Sequence, residues 1–281
     1  LVEIPVEARQ ERYRDEPTIY AARHAILGGL TAAEGRSPRS IATRATHEGD
    51  DPTDGRFDWK VTEWTPGEPL TDTIPDAAAT DLGRFLATLH GLPVEGYGRL
   101  QDRADELRGT ETEHRAGLLS RWWPELWPFD GRALTTHPVL HAAPMLLSTI
   151  AALRDSLNRY EEPRTQFALS HTDLNGNHLY VEDGRLSGVI DFGDAAIVPP
   201  AFDIASFAFY FGWESTERLL DGYTTNGVFR DIRRAEAQQL SVVLALQKIE
   251  KHTTALPDEE KVARTITFLE QTLPLAVRRQ A

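Results

Sequence analysis

Two polar clusters in this sequence combine residue types that can do chemistry. The first is Ser170-His171-Thr172-Asp173-Leu174-Asn175-Gly176-Asn177-His178, which runs into Leu179-Tyr180-Val181; the second is Val189-Ile190-Asp191-Phe192-Gly193-Asp194. Both sit at the ends of short apolar stretches, where loops would present carboxylates, amides and imidazoles to a cleft. The chain has no cysteine, which removes thiolate nucleophiles, disulfides and thiolate zinc sites together and leaves oxygen and imidazole as metal ligands. Hard cations such as Mg²⁺ suit that donor set. The chemistry that fits is phosphoryl transfer, which needs an oriented nucleophile and cations held against the phosphates and little covalent help from the protein. Asp173 has the type and setting to accept a hydrogen bond from an attacking hydroxyl, and Asp191 to hold Mg²⁺ against phosphate oxygens. A single loop Asp is more often a turn former or a cap, so the weight rests on the joint pattern. A zinc or hydrolytic enzyme built on His171 and Asp173 would lack a nucleophile and a third clustered ligand.

Those loops need strands and helices to hold them. From Phe167 onward the chain reads as strand, polar loop, strand, a turn at Glu182-Asp183-Gly184, strand, and then mostly helices. Between Ala77 and His90 the apolar residues Leu82, Phe85, Leu86 and Leu89 recur at helical spacing, with Gly91 as a stop. Ser40 to His47 and Phe57 to Thr65 are β-rich, separated by the polar stretch Glu48 to Gly55, which reads as a hairpin loop. Pro66-Gly67-Glu68-Pro69 then ends the second strand and marks a lobe boundary. The start reads as a short strand, Leu1 to Val6, and a helix from Asp15-Glu16-Pro17 to Leu30. Leu92 to Arg164 is less regular, with Trp122, Trp123 and Trp127 and an apolar helix from Ala142 to Leu157. It reads as an insertion that shapes a specific site, the tryptophans serving packing ahead of any substrate platform.

Together these residues resemble the catalytic loop and metal-binding Asp of protein-kinase-like enzymes, in the form found in the aminoglycoside phosphotransferase family with its macrolide and hygromycin members. The family pattern is His-x-Asp, an Asn five residues after the Asp, and a strand ending in Ile-Asp-Phe/Trp. His171, Asp173 and Ile190-Asp191-Phe192 match in type and spacing, which turn chemistry alone has no reason to reproduce. His178 stands where Asn is usual, as it does in macrolide phosphotransferases. Phe202-Asp203-Ile204-Ala205 is similar to the downstream element whose Asp braces the catalytic loop, and Leu86 to Pro93 to the family's Leu-Ala-x-Leu-His-x-Leu-Pro helix end. Thr62-Glu63-Trp64 would be the hinge that meets the adenine edge. Glu16 would pair with the phosphate-binding lysine, which by the family's spacing falls at or just before Leu1, with the Gly-rich loop upstream.

The resemblance covers most of the chain and implies an α+β, bilobal, protein-kinase-like fold. The small antiparallel N-lobe would span residues 1–66 and bind nucleotide; the larger helical C-lobe, residues 67–281, would carry the catalytic loop and the substrate site. It implies ATP or GTP with Mg²⁺ between the lobes, Asp173 as catalytic group with His171 supporting it, and Asp191 with His178 or Asn177 as metal ligands. Glu16, Thr62, Glu63 and Trp64 fall on the nucleotide side, and Asp203 is structural support. The implied acceptor is a hydroxyl of an aminoglycoside- or macrolide-like molecule. A metabolic kinase acting on choline, homoserine, a sugar or a ketosamine would share these residues. A nucleotide-binding pseudokinase is the alternative from another class, motivated by the missing Gly-rich loop and by His178.

Composition sets the outer bounds. With 281 residues, 41% of them hydrophobic, the chain can bury a core large enough for two lobes. A formal charge of −13 and a pI near 5.2 argue against a nucleic-acid partner and suit a cationic small-molecule substrate. Nothing approaches the roughly 20 apolar residues that span a bilayer, and no signal-peptide pattern opens the sequence, so no membrane partner and a cytoplasmic location are expected. Four lysines stand against 26 arginines, a bias read as genomic rather than functional. Glu214 and Glu217 read as a solvated helix face.

Overall fold

A computed structural model describes residues 40–44, 59–62, 64–101, 106–121, 137–153, 157 and 166–277. The strand and helix expected before residue 31, the polar stretch 48–55, Glu16, Glu63, Trp122, Trp123 and Trp127 lie outside the described residues.

The β-rich stretches form a two-stranded antiparallel pair, β1 (Ser40–Arg44) and β2 (Trp59–Thr62), in register Arg44 to Trp59. Glu68 and Pro69, expected only to end the second strand, make a short strand of their own, β3 (Glu68–Pro69). Further along come β4 (Tyr97–Leu100), β5 (Gly109–Glu111), β6 (Ala168–Ser170), β7 (Leu179–Glu182), β8 (Arg185–Val189) and β9 (Ala196–Val198). One sheet has the order β3-β7-β8 and another β5-β4-β9-β6, with every strand pairing antiparallel. The turn between β7 and β8 is the two-residue Asp183-Gly184, with φ of 50° and 75°, the left-handed pair that a tight hairpin requires. Pro69 is tolerated because β3 is an edge strand.

The helices are α1 (Asp76–Leu89), α2 (His114–Arg121), α3 (Val139–Ala142), α4 (Leu147–Ala152), α5 (Ala201–Tyr223), α6 (Gly227–Glu250) and α7 (Glu259–Val277). The expected single helix from Ala142 to Leu157 is a correction. Ala143 takes φ −150° and ψ 64°, and a 3-10 turn, Pro144–Leu146, separates α3 from α4. The cause is Pro144, which lacks an N–H and bars the preceding residue from helical backbone.

Leu82, Phe85, Leu86 and Leu89 of α1 are buried as one stripe, each stabilising the fold by about 1.5–3 kcal/mol. Their partner is α5, and the crossing is close: a Cβ on Gly83 would lie 2.0 Å from the Leu219 carbonyl oxygen, and one on Gly222 would lie 1.9 Å from that of Thr80. Only glycine permits this approach. The crossing brings His90, the residue that follows α1, toward Asp203 in the first turn of α5. Within α5, Gly212 leaves helical backbone at φ 78° and kinks the helix. Asn226 caps α6 by accepting from the Phe229 N–H at 3.1 Å. At its other end α6 runs into a π-turn, Lys251–Ala255, before α7 folds back on it. One hydrophobic cluster joins α1, β6 to β9 and α5 to α7. No described helix is long and apolar enough to cross a membrane.

Candidate active site

The loop after β6 is organised by a buried carboxylate. Asp203, in the first turn of α5, is fully buried. Its Oδ2 accepts from the His171 N–H at 2.8 Å and its Oδ1 from the Thr172 N–H at 2.7 Å. His90 Nε2, at the end of α1, lies 3.1 Å from the same Oδ2 and donates to it, which leaves Nδ1 to accept from the Tyr223 hydroxyl at 2.9 Å. Burial pushes the Tyr223 phenol up to about 12 and so keeps this donor protonated. A carboxylate out of water is tolerable only when its lone pairs are met in this way.

Thr172 is held at φ 68°, a left-handed conformation that costs a β-branched residue on the order of 1–3 kcal/mol. Its N–H bond to Asp203 and a 2.6 Å bond from its hydroxyl to the Asp194 carbonyl oppose relaxation. His171 ties this loop to the second one. Its Nε2 lies 2.8 Å from the Ile190 carbonyl oxygen and donates to it, while Nδ1 accepts from the Asp173 N–H at 3.3 Å. Burial depresses the His171 pKa, against the opposing pull of the Asp203 charge and the Ile190 carbonyl. The ring therefore acts as a neutral bracket, packed 4.8 Å from Phe192.

Asp173 emerges from this frame with its side chain 28% exposed. Its Oδ2 accepts from the Asn175 amide at 3.1 Å. His178 Nδ1 lies 2.8 Å from the Asp173 backbone oxygen. A carbonyl only accepts, so Nδ1 carries a proton, and in the neutral tautomer Nε2 presents a lone pair. That lone pair faces Asp191 Oδ2 at 3.4 Å, and two acceptors so placed invite a cation between them. Asp191 sits at φ 60° and caps the short turn Phe192–Asp194, its Oδ1 accepting from the Gly193 N–H at 3.3 Å. Its side chain is 55% exposed. Among the described residues no group of three or more His, Asp or Glu could hold a metal ion. A carboxylate with one neighbouring donor still fits Mg²⁺, which keeps its waters and takes phosphate oxygens for the remaining positions. Asn177 is exposed, and its backbone N–H bonds to Asn175 Oδ1 at 3.0 Å.

Beside Asp173 lies a cleft of about 510 Å³. One part of its lining is Leu70 to Asp72 and the Asp173–Asn177 loop; the rest comes from α5, α6, the π-turn and α7. Gly176 lets the loop close on Leu70, since a Cβ there would lie 2.5 Å from the Leu70 carbonyl oxygen. Of the residues expected on the nucleotide side, Thr62 ends β2 and Trp64 is 86% exposed. Glu217 is engaged by Arg230 and Arg234 at 2.8 and 2.6 Å.

The sequence reading missed three groups. Asn175 reads as a loop polar residue but holds both Asp173 and, through its Oδ1, the Asn177 N–H. His90 reads as part of a helix end, and nothing in its spacing announces its bond to Asp203. The lysines of the cleft carried a signal, since three of the chain's four fall between 248 and 261.

Residues 9–237 match the family described as the phosphotransferase enzyme family. Viomycin phosphotransferase of Streptomyces vinaceus is 27% identical over 203 residues, which are 68% of this chain and 63% of that protein, so the match leaves more than a third of the relative unspanned. Among solved structures, a thermostable mutant of aminoglycoside phosphotransferase APH(4)-Ia in ternary complex with AMP-PNP and hygromycin B superimposes with a TM-score of 0.59 at 14% identity, covering 92% of this chain and 82% of that one. The GDP and kanamycin complex of an APH(2″) enzyme gives a TM-score of 0.59 at 16% identity, covering 91% and 82%. These likenesses show the α+β fold of aminoglycoside phosphotransferases, and with the match across residues 9–237 they establish that the chain belongs to the phosphotransferase enzyme family.

Proposed function

We propose that this protein is a small-molecule kinase that passes the γ-phosphate of ATP or GTP to a hydroxyl of an amine-bearing acceptor of the aminoglycoside or macrolide kind. The observation that carries the reading is the Asp173 carboxylate at the cleft, on a loop pinned by Asp203 and tied through His171 and His178 to Asp191. Asp173 accepts the acceptor's hydroxyl proton as the oxygen attacks the γ-phosphorus. The bond from that phosphorus to the β–γ bridging oxygen breaks, and the nucleoside diphosphate leaves with the electron pair. His171 holds the loop so that Asp173 is aimed before the acceptor arrives. Asp191 and His178 would hold Mg²⁺, with Asn177 as the competing amide ligand. When bound, the cation supplies positive charge against the phosphate oxygens. The nucleotide would lie between an N-lobe of residues 1–66 and a C-lobe of residues 67–281, with Glu16 and Thr62 to Trp64 on its side of the cleft.

Support for the acceptor class comes from the similar structures, which hold hygromycin B and kanamycin. The test combines purified protein with Mg-ATP and Mg-GTP and a panel of aminoglycosides, macrolides and peptide antibiotics, alongside choline and simple sugars, read by mass spectrometry. A phosphorylated antibiotic supports the reading. Phosphorylation of choline or a sugar alone replaces it with the metabolic-kinase reading, and nucleotide binding without any transfer leaves a pseudokinase.

A further inference from the structure

The cleft beside Asp173 has a charge unlike the rest of the chain. Of four lysines in a protein of net charge −13, Lys248, Lys251 and Lys261 line it, joined by Arg264. Its carboxylates are Asp72 and Asp173, both from the linker and catalytic-loop part of the lining. All four cations come from the helical part. Lys248 lies near the end of α6, Lys251 opens the π-turn, and Lys261 and Arg264 share one face of α7 at i, i+3 spacing.

The Lys248 ammonium donates to the Tyr210 hydroxyl at 3.0 Å and sits 5.6 Å from the centre of that ring. Lys261 pairs at 3.0 Å with Asp258, a carboxylate that does not line the cleft. Arg264 is exposed and forms no ion pair with a described residue. His252, on the same wall, registers the accumulated charge. Its pKa is lowered first by burial, against a carbonyl bond to Leu256, and further by Lys261, Lys251 and Lys248 in turn. The π-turn that carries Lys251 and His252 closes with the Leu256 N–H on the Lys251 carbonyl at 2.8 Å, and such turns are frequent at functional sites.

We propose that this basic wall binds an anionic group, a carboxylate or a phosphate, carried by the acceptor whose hydroxyl is offered to Asp173. The inference rests on the kinase reading above but replaces its amine-bearing acceptor: the acceptor is a hydroxylated molecule that turns a negative group toward the helical part of the lining, so an aminoglycoside bearing only amines is not the preferred substrate, and any amine faces Asp72. Compact ammonium charges suit carboxylate and phosphate oxygens. In a half-enclosed cleft several of them act on one anion through less water than at an open surface. An acceptor bearing only amines would meet like charge along the whole helical part of the lining.

The test measures binding to the full chain without nucleotide, by calorimetry and ligand-observed NMR, using D-gluconate, D-glucose 6-phosphate, D-glucose and D-glucosamine. Gluconate and glucose 6-phosphate should bind about tenfold or more tightly than glucose, the scale of a hydrogen bond to a charged group, and the advantage should shrink with salt. The double variant Lys251→Gln, Arg264→Gln should abolish the advantage while its thermal melting stays close to the parent's, because both side chains are exposed. Equal affinity for all four compounds, or a preference for glucosamine, overturns the proposal. Repeating the titration with saturating Mg-ATP separates two sources of the anion. Retained binding of gluconate assigns the cations to the acceptor. Displacement by nucleotide, with weakened nucleotide affinity in the double variant, assigns them to the triphosphate and overturns it. The kinase reading fails by a different result, the absence of transfer to every acceptor, whereas the basic wall is judged by binding.

Discussion

The carboxylate of Asp173 has a hydrogen bond from Asn175 on one oxygen and keeps its remaining lone pairs for what enters the cleft. Aspartates that serve only a turn spend their side chain on neighbouring backbone N–H groups, as Asp191 does in part with Gly193. Asp173→Ala is expected to lower transfer by about two to four powers of ten, the range of a lost general base, while nucleotide affinity and folding stay near normal. Steady-state kinetics beside nucleotide calorimetry checks this, and near-normal turnover would remove Asp173 from the chemistry. Asp191→Ala should act on the other substrate. It removes the carboxylate that faces His178 Nε2, so the gain in nucleotide affinity on adding Mg²⁺ should disappear. Titrations with and without Mg²⁺ read that gain directly, and an undiminished gain in the variant would place the cation elsewhere.

The elements contribute precision of placement. Two helices that cross at Gly83 and Gly222 bring His90 and Asp203 together, and Asp203 in turn sets the backbone of His171 and Thr172. Asp203→Asn keeps the shape but turns one acceptor into a donor facing an N–H or His90. It should cost about 1–3 kcal/mol of stability, the penalty of a buried donor left without a partner, and release Thr172 from its left-handed backbone. Urea unfolding measures the first effect and a fall in kcat larger than any change in KM the second. A variant with parental stability and kcat would show that the loop is held by other contacts. Asp203 touches neither nucleotide nor acceptor in this scheme, so it is a positioning residue.

At the scale of the whole molecule, charge and protonation decide under which conditions the site persists. His171 and His137 are both held below the ordinary imidazole value of 6.5, in each case first by burial. An unfolded histidine binds its proton from about pH 6.5 downward, and the folded ones bind it only at lower pH. The stability from these two groups is therefore complete above pH 6.5 and declines as pH falls from there through their folded values. Urea midpoints at pH 7.5 and 5.5 should show a loss for the parent and a smaller loss for His171→Gln, in which His137 still titrates. An equal loss in both proteins would mean that His171 takes up its proton in the fold as easily as outside it.

The polar clusters and their order were legible in the sequence because their signals are local. His171, Asp173 and Asp191 declare themselves by type and spacing, α1 by the 3.6-residue rhythm of Leu82, Phe85, Leu86 and Leu89, and the β7–β8 turn by Asp183-Gly184. Pro144 likewise stands in plain view, and it divides the apolar run from Ala142 that reads as one helix. What only the tertiary structure decided are the relations between distant stretches. His90 reaches Asp203 across 113 residues and His171 reaches Ile190 across 19, and neither distance follows any periodicity. The net charge of −13 predicts a surface for cations, yet folding gathers three of the four lysines into the cleft at Asp173. Composition sums charge over the chain, whereas a ligand meets the charges that packing has brought within a few ångströms of it.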